Sequence, residues 1–127
     1  SQDRHHFCLD VENGAKENLG RVIVSKFHGG QSQKWRIKGN AIFNVNSGRV
    51  LDIYSGEFIG KNLIIHDQHR GSNQQWTIQD GSISSPSRYC IEIKDLPYVA
   101  SANFSNENKQ KWFFFSLNNF ETIFSLI

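Results

Sequence analysis

Apolar and polar residues alternate over short stretches of this chain, and no stretch keeps apolar residues at helical spacing for three turns. In Trp35–Lys38 and Trp76–Gln79 the alternation has a period of two, which is typical of a strand with one buried face. Each of these stretches meets a turn sequence, Gly39-Asn40 and Asp80-Gly81 respectively. The pattern therefore predicts an all-β protein built from short strands joined by hairpins.

One signature, Gln-x-Trp, recurs three times at near-equal intervals: Gln33–Trp35, Gln74–Trp76 and Gln110–Trp112. These copies contain all three tryptophans, and successive tryptophans are 41 and 36 residues apart. Apolar residues around one acidic residue open each unit, at Cys8–Val11, Val50–Ile53 and Tyr89–Ile93. A fixed period of this size indicates one supersecondary unit repeated three times. We expect one domain over residues 1–127, with repeats at approximately 1–45, 46–86 and 87–127 and about four strands in each.

Composition favours a soluble globular domain. With a net charge of +2 and 20% charged residues, no strong basic surface points to nucleic acid or to a membrane. No apolar run approaches the roughly 20 residues that span a bilayer. The N-terminal stretch Ser1–His6 is polar and contains no signal-peptide core, so the compartment stays open and secretion is compatible with the sequence. Two cysteines, Cys8 and Cys90, are too few for a disulfide framework.

Triplicated Gln-x-Trp units, each opened by an apolar-acidic-apolar triplet, resemble the ricin B-chain-like (R-type) lectins over essentially the whole chain. The resemblance implies a β-trefoil, which is a six-stranded barrel capped by three hairpins about a pseudo-three-fold axis. It also implies binding of terminal galactose or N-acetylgalactosamine. Within the signature, we expect the tryptophans to lie in the core and each glutamine to satisfy buried backbone groups.

The second unit carries the best candidate for a sugar site. Such a site needs a carboxylate or amide to pair with hydroxyls and a flat face to lie against the C–H surface of the ring. A sugar with the wrong hydroxyl geometry leaves polar groups of the site unpaired, and this makes the site selective. The resemblance implies Asp52 as the acceptor, His66 as the stacking surface, and Asn73 with Gln74 as the flanking amides. His69 is expected to add a hydrogen bond from the same loop. The alternative is that both histidines are merely solvated loop residues.

The first unit matches this pattern only in part. Asp10 and Gln33 are present, and Phe27 or His28 is left to supply the flat face. Two serines stand at the stacking and asparagine positions, Ser25 and Ser32. Whether this repeat binds sugar stays open.

The third unit departs furthest from the pattern. Glu92 replaces the aspartate, Ala102 stands at the stacking position and Lys109 replaces the asparagine, in a shortened segment. We expect this repeat to have lost the site. The alternative is that Lys94, Asp95 and Lys109 bind an acidic sugar.

The cysteines fit the same resemblance, since the partner positions of related lectins are occupied here by Phe27 and Phe104. Cys8 and Cys90 are therefore expected to be buried thiols. A bond between the two of them remains open.

An apolar surface is predicted on the third signature strand. If Trp112 and Phe114 face inward, Phe113 and Phe115 face outward together, where the first repeat has Arg36 and Lys38. The C-terminal stretch adds further apolar residues, Phe120, Ile123, Phe124, Leu126 and Ile127. Exposed apolar patches mark partner surfaces, so we predict a homodimer through Phe113 and Phe115. The alternative is that the C-terminal stretch folds back over these rings.

No enzyme motif is recognisable, since the chain contains no nucleophile elbow, phosphate loop or metal-spaced histidine set. We expect no catalytic residues, no metal and no cofactor. The predicted partners are galactose-containing glycans of glycoproteins or glycolipids, bound at the cell surface without membrane insertion, as in a multivalent agglutinin. The alternatives are a carbohydrate-binding module of a larger glycoside hydrolase or toxin, and a protein-binding β-trefoil.

Overall fold

The computed structural model describes residues 6–126. In this range the chain forms twelve short strands: β1 Phe7–Val11, β2 Val22–Lys26, β3 Trp35–Lys38, β4 Ala41–Asn44, β5 Val50–Ile53, β6 Leu63–His66, β7 Thr77–Gln79, β8 Ser82–Ser84, β9 Tyr89–Ile93, β10 Val99–Asn103, β11 Trp112–Ser116 and β12 Glu121–Leu126. The helical segments are single 3₁₀ turns: Glu12–Gly14, Gln31–Gln33, Ser72–Gln74, Asn108–Gln110 and Asn118–Phe120. None of these described helices is long and apolar enough to cross a membrane.

Every third of the chain uses the same antiparallel pairings. Within each repeat the first strand pairs with the second and the third pairs with the fourth, as in β1·β2 and β3·β4. The fourth strand of each repeat then pairs with the first strand of the next, as β4·β5 and β8·β9. The last strand, β12, pairs back to β1, so the same pairing joins the third repeat to the first, and β12 also pairs with β3. The predicted all-β trefoil with pseudo-three-fold symmetry is confirmed.

The second strands of the three repeats also meet one another. Single antiparallel bridges join Arg21 to Ile64, Asn62 to Ala100, and Tyr98 to Ile23. Each bridge is the three-fold counterpart of the others, so the loop before each second strand lies against the next repeat. The predicted repeat boundaries, after residues 45 and 86, fall between β4 and β5 and between β8 and β9. The single-domain interpretation over 1–127 stays a prediction, and its ends at 1–5 and 127 lie outside the described residues.

The three tryptophans form the centre of the core. All three indoles are buried, together with the apolar residues of the opening strands. Each indole N–H donates to a backbone carbonyl of the opening strand of its own repeat: Trp35 to Leu9 at 3.2 Å, Trp76 to Leu51 at 3.0 Å and Trp112 to Ile91 at 3.3 Å. The polar edge of each ring is thereby satisfied inside the core, as a buried donor requires.

The signature glutamines join the loop before each signature to the opening strand. In the third repeat the Gln110 carbonyl oxygen accepts from the Ser105 backbone N–H at 2.8 Å. Its amide group donates to the Asn103 carbonyl at 2.6 Å and to Glu92 Oε1 at 2.9 Å. The glutamines of the other two repeats make the same kinds of bond. Each buried carboxamide therefore ties three separate groups together.

Both cysteines are free and buried. Burial raises the pKa of the Cys8 thiol to about 12, with the nearby Asp10 carboxylate adding to the effect. Burial also raises the pKa of Cys90. The bond between Cys8 and Cys90 that the sequence left open is not formed, and both act as small buried side chains.

The C-terminal stretch corrects part of the predicted apolar patch. Ile123, Phe124 and Leu126 lie on β12 with their side chains buried, so they belong to the core and not to the patch. Phe114 was expected to face inward, but it is partly exposed. Its ring packs edge-to-face on Phe124, with centroids 5.4 Å apart. Phe120 is exposed, and Ile127 lies outside the described residues.

Replacing Gln110 with alanine tests the bridging role of the glutamine. The change leaves the groups bonded to Gln110 without their partners, so we expect the free energy of unfolding to fall by about 2–3 kcal/mol. Chemical denaturation measures the change, and Gln79→Ala on the exposed face of β7 is the control, expected to change stability by less than about 0.5 kcal/mol. Equal effects of the two substitutions would contradict the bridging role.

Candidate functional site

A surface cavity of about 360 Å³ opens beside the second repeat. Four of the predicted residues line it: Asp52, His66, His69 and Asn73. The other lining residues are Leu19, Tyr54, Ser55, Gly56 and Ile64. Gln74 was grouped with the predicted site, but its side chain is buried behind Asp52. The structure thus brings four predicted residues to one open surface and places the fifth beneath them.

Asp52 is the acidic centre of this cavity. It lies on β5, and its side chain is largely buried. Oδ1 accepts a bond from the Asn73 amide at 2.9 Å, and Oδ2 accepts one from the Gln74 amide at 2.8 Å. Burial raises the pKa of Asp52 above its ordinary value, while the bonds from Gln74 and Asn73 and the nearby His66 and His69 act to lower it. Two amides therefore orient a carboxylate whose remaining lone pairs point to the cavity.

The position of His69 is set by backbone groups around it. The ring Nδ1 accepts from the Gly71 N–H at 3.0 Å, so the neutral ring carries its proton on Nε2. That Nε2 lies 3.8 Å from Asp52 Oδ2. A Cβ on residue 71 would lie 2.8 Å from His69 Cε1 and 2.9 Å from Asn73 Oδ1. A side chain at this position would therefore displace the imidazole or the Asn73 amide.

His66 provides the second ring of the cavity. It ends β6, and its Nδ1 lies 3.1 Å from the Asp67 carbonyl oxygen, so this nitrogen is the donor. The His66 and His69 rings meet edge-to-face, with centroids 6.1 Å apart. A buried carboxylate beside two partly exposed rings can accept hydroxyl hydrogens and pack against C–H groups at the same time.

The first repeat copies only part of this arrangement. His28 Nδ1 accepts from the Gly30 N–H at 2.9 Å, and His28 Nε2 lies 3.8 Å from Asp10 Oδ2. The counterpart of His66 is Ser25, whose hydroxyl donates to Asp10 Oδ2. This carboxylate oxygen therefore already has an internal partner. Phe27, the other candidate for a flat face, lines a separate apolar cavity beside Phe115.

The third repeat has a cation where the second has an amide. Lys109 Nζ lies 3.9 Å from Glu92 Oε1 and 3.2 Å from Glu107 Oε1. The bond to Glu107 and the charges of both carboxylates raise the pKa of Lys109. The same Glu92 oxygen also accepts from the Gln110 amide. One oxygen of this carboxylate, Oε1, thus has an amide donor and a lysine cation beside it.

Leu19 is the lining residue that sequence reasoning missed. It belongs to the first repeat but lines the cavity of the second, with 57% of its surface exposed. Its φ is +76°, in the left-handed region that costs a residue with a side chain about 1–2 kcal/mol relative to glycine. Counting 41 residues onward gives Gly60, which has the same φ of +76°. This mismatch between aligned repeats was visible in the sequence, although the contact across repeats was not.

Comparison with known proteins places this geometry in context. The ricin-type beta-trefoil lectin domain matches residues 1–76. The designed three-fold symmetric protein ThreeFoil is similar with a TM-score of 0.72 and 23% identity, over 98% of this chain and 94% of that one. The C-half of the earthworm R-type lectin, solved in complex with GalNAc, has a TM-score of 0.69 and 12% identity, over 92% and 88% of the two chains.

An enzyme also contains this fold. An exo-β-1,3-galactanase from Clostridium thermocellum is similar with a TM-score of 0.67 and 23% identity, over 100% of this chain and 31% of that one. At these identities the structural similarities show a shared fold.

Gly71→Ala tests how His69 is positioned. We expect the added methyl group to push the imidazole away from Asp52 and to remove the bond that defines its tautomer. Long-range ¹H–¹⁵N NMR should show a protonated Nε2 and an unprotonated Nδ1 for wild-type His69, and this signature should be lost in the variant. Gly30→Ala is the matched control, expected to alter His28 alone. An unchanged His69 spectrum in Gly71→Ala would refute the assignment.

Proposed function

The chain belongs to the ricin-type β-trefoil lectin domain family, whose fold binds carbohydrate, and we propose that it is a lectin for terminal galactose or N-acetylgalactosamine. The second repeat is the proposed main site. The observation that supports it is the Asp52 carboxylate, held from below by two amides and open to a cavity that His66 and His69 flank.

The proposed binding mode assigns one task to each side chain. Asp52 accepts hydrogen bonds from two neighbouring hydroxyls of the pyranose, because both of its oxygens keep unused lone pairs. His66 lies against the C–H face of the ring, and the His69 Nε2–H donates to a hydroxyl. Asn73 adds polar contacts at the rim. An epimer with one hydroxyl misplaced leaves a polar group unpaired, and this penalty provides the selectivity.

Galactose-type specificity is supported by the residue pattern and by the kind of protein that shares the fold. The pattern of Asp52, His66 and Asn73 resembles that of galactose-binding R-type lectins. One structural neighbour is an R-type lectin in complex with GalNAc. A carbohydrate-binding module of a larger enzyme is the second candidate, since the same fold occupies part of an exo-β-1,3-galactanase.

The three repeats are proposed to differ in affinity. In the first repeat Asp10 and His28 form a weaker site, because a hydroxyl donor must displace or share the Ser25 bond to Asp10; Gln33, grouped with this site in the sequence, is fully buried and supports Asp10 from beneath. In the third repeat Lys109 neutralises Glu92, and no sugar site is proposed there.

Association of two chains is the proposed source of further valency. Phe113 and Phe115 are exposed on β11, with ring centroids 6.1 Å apart. Phe115 and Leu117 line an apolar cavity of about 260 Å³, and Phe120 projects from the turn beyond them with 93% of its surface exposed. A two-fold related copy can seat each Phe120 ring in the cavity of the other chain, so the patch is self-complementary.

Valency matters because single shallow sugar sites are weak, often near millimolar, which corresponds to only about 4 kcal/mol. Linking sites on one particle can raise avidity by roughly 10² to 10⁴ on a surface dense in glycans. A dimer of this lectin would therefore bind cell surfaces far more tightly than one repeat binds a free sugar.

Asp52→Asn tests the main site. The amide cannot accept from both neighbouring donors and also from sugar hydroxyls, so we expect galactoside affinity at the second repeat to fall at least about tenfold, the loss of one charge-assisted bond. A glycan array and calorimetry with methyl galactoside measure the change, with methyl glucoside as the epimer control. Asp10→Asn is expected to cause a smaller loss. Normal binding by Asp52→Asn would disprove the proposed site.

A double substitution, Phe113→Ser with Phe115→Ser, tests the dimer. Removing two exposed rings should leave a monomer with a folded circular dichroism spectrum, as measured by analytical ultracentrifugation. Lys38→Ser, at an equivalent outward position of the first repeat, should leave the sedimentation coefficient unchanged. If wild type and double variant have the same mass, the patch is not the interface.

A further inference from the structure

We propose that Leu19, carried by the first repeat, is a specificity-determining contact of the saccharide site in the second repeat. Its side chain forms an apolar wall for the C–H edge of the bound pyranose. This inference rests on the proposed lectin function and adds a residue that the pattern within a single repeat does not contain.

The backbone of the first repeat fixes Leu19 at the edge of the cavity. The Leu19 N–H donates to the Ile65 carbonyl at 2.9 Å, and the Ile65 N–H donates to the Gly20 carbonyl at 2.9 Å. A Cβ on residue 20 would lie 3.0 Å from the Ile65 side chain, so this close contact depends on glycine. Two hydrogen bonds and a tight approach therefore hold Leu19 beside the strand that ends in His66.

The three-fold related positions are Leu19, Gly60 and Leu96, and of the two leucines only Leu19 has a positive φ. Gly60 is the counterpart in the second repeat, and its N–H donates to the Ser101 carbonyl at 2.7 Å, as that of Leu19 does to Ile65. Both residues have a φ of +76°, a conformation that glycine adopts without strain. The first repeat thus places a branched side chain in a backbone conformation for which the second repeat uses glycine.

The surroundings of the two positions explain the difference. Leu19 and the Asp52 carboxylate line the same cavity. Gly60 stands before the third repeat, where the Glu92 carboxylate is held by Lys109 and Gln110. The leucine of the first repeat thus lines the cavity of the proposed main site, whereas glycine stands next to the repeat for which no sugar site is proposed.

The chemistry of the wall suits a pyranose. The carboxylate, amide and imidazole groups of the cavity serve the hydroxyls, whereas Leu19 offers only methyl groups. Burying part of an exposed leucine against ring C–H groups removes apolar surface from water and favours binding. A sugar that turns a hydroxyl toward Leu19 loses that gain and also the hydration of the hydroxyl, so the wall selects which edge enters.

Leu19→Asn and Leu19→Met form the test pair. Asparagine tolerates the left-handed backbone, so the Asn variant should be at least as stable as wild type in thermal unfolding. We expect its dissociation constant for methyl N-acetylgalactosaminide to rise about five- to tenfold, because the apolar contact is lost. Methionine keeps an apolar side chain, so Leu19→Met should stay within about twofold of wild type.

The titration is followed by NMR at the His69 imidazole, which reports the second repeat alone. In the wild-type complex we expect nuclear Overhauser effects between the Leu19 methyl groups and sugar ring protons. Leu96→Asn is the matched control: Leu96 is the counterpart in the third repeat and has the same 57% exposure, and its substitution should leave the His69 titration unchanged.

The outcomes separate this inference from the lectin proposal. If Asp52→Asn loses binding but Leu19→Asn binds normally and no methyl-to-sugar effect appears, Leu19 is not a contact and the lectin proposal stands. If Asp52→Asn also binds normally, the proposed site itself is wrong. Weaker binding by Leu19→Asn together with unchanged stability supports the wall.

Discussion

The hydrogen bond between a signature glutamine and the acidic residue of its opening strand is the constraint on which the rest of this structure depends. In the second repeat it joins Gln74 to Asp52 at 2.8 Å, while the other end of the carboxamide holds the loop that carries His69. One buried group thus closes the repeat and orients the carboxylate. Fold stability and the proposed ligand recognition share this interaction, because a buried carboxylate requires partners and Asp52 also lines the cavity.

The repeats differ in what occupies the open side of that carboxylate. A histidine ring stands there in the second repeat, a serine hydroxyl bonds to Asp10 in the first, and a lysine pairs with Glu92 in the third. The frame is the same in each case, since Trp, Gln and the opening strand are retained. The three repeats therefore share one core and differ in the side chains around the carboxylate, which is why we propose different affinities for them.

Side chains that conflict with local preference lie at the surfaces for which we propose binding. Leu19 adopts a backbone conformation that suits glycine, and Phe113 and Phe115 are exposed on a strand whose counterparts are polar. Exceptions of this kind are expected at functional positions, because folding alone gives no reason to keep them.

The sequence by itself determined the three-fold period, the all-β class and the tryptophan core, because alternation and repeat spacing are local properties of the chain. It also predicted that Asp52, His66 and Asn73 form one site, since all three belong to one repeat. Only the tertiary structure showed that the Ser25 hydroxyl donates a hydrogen bond to Asp10 and that Leu19 lines the cavity of the second repeat. It likewise showed that Glu121–Leu126 form β12, a strand whose apolar side chains lie in the core. These features depend on how residues far apart in the sequence meet in the folded protein. The local sequence pattern does not contain that information.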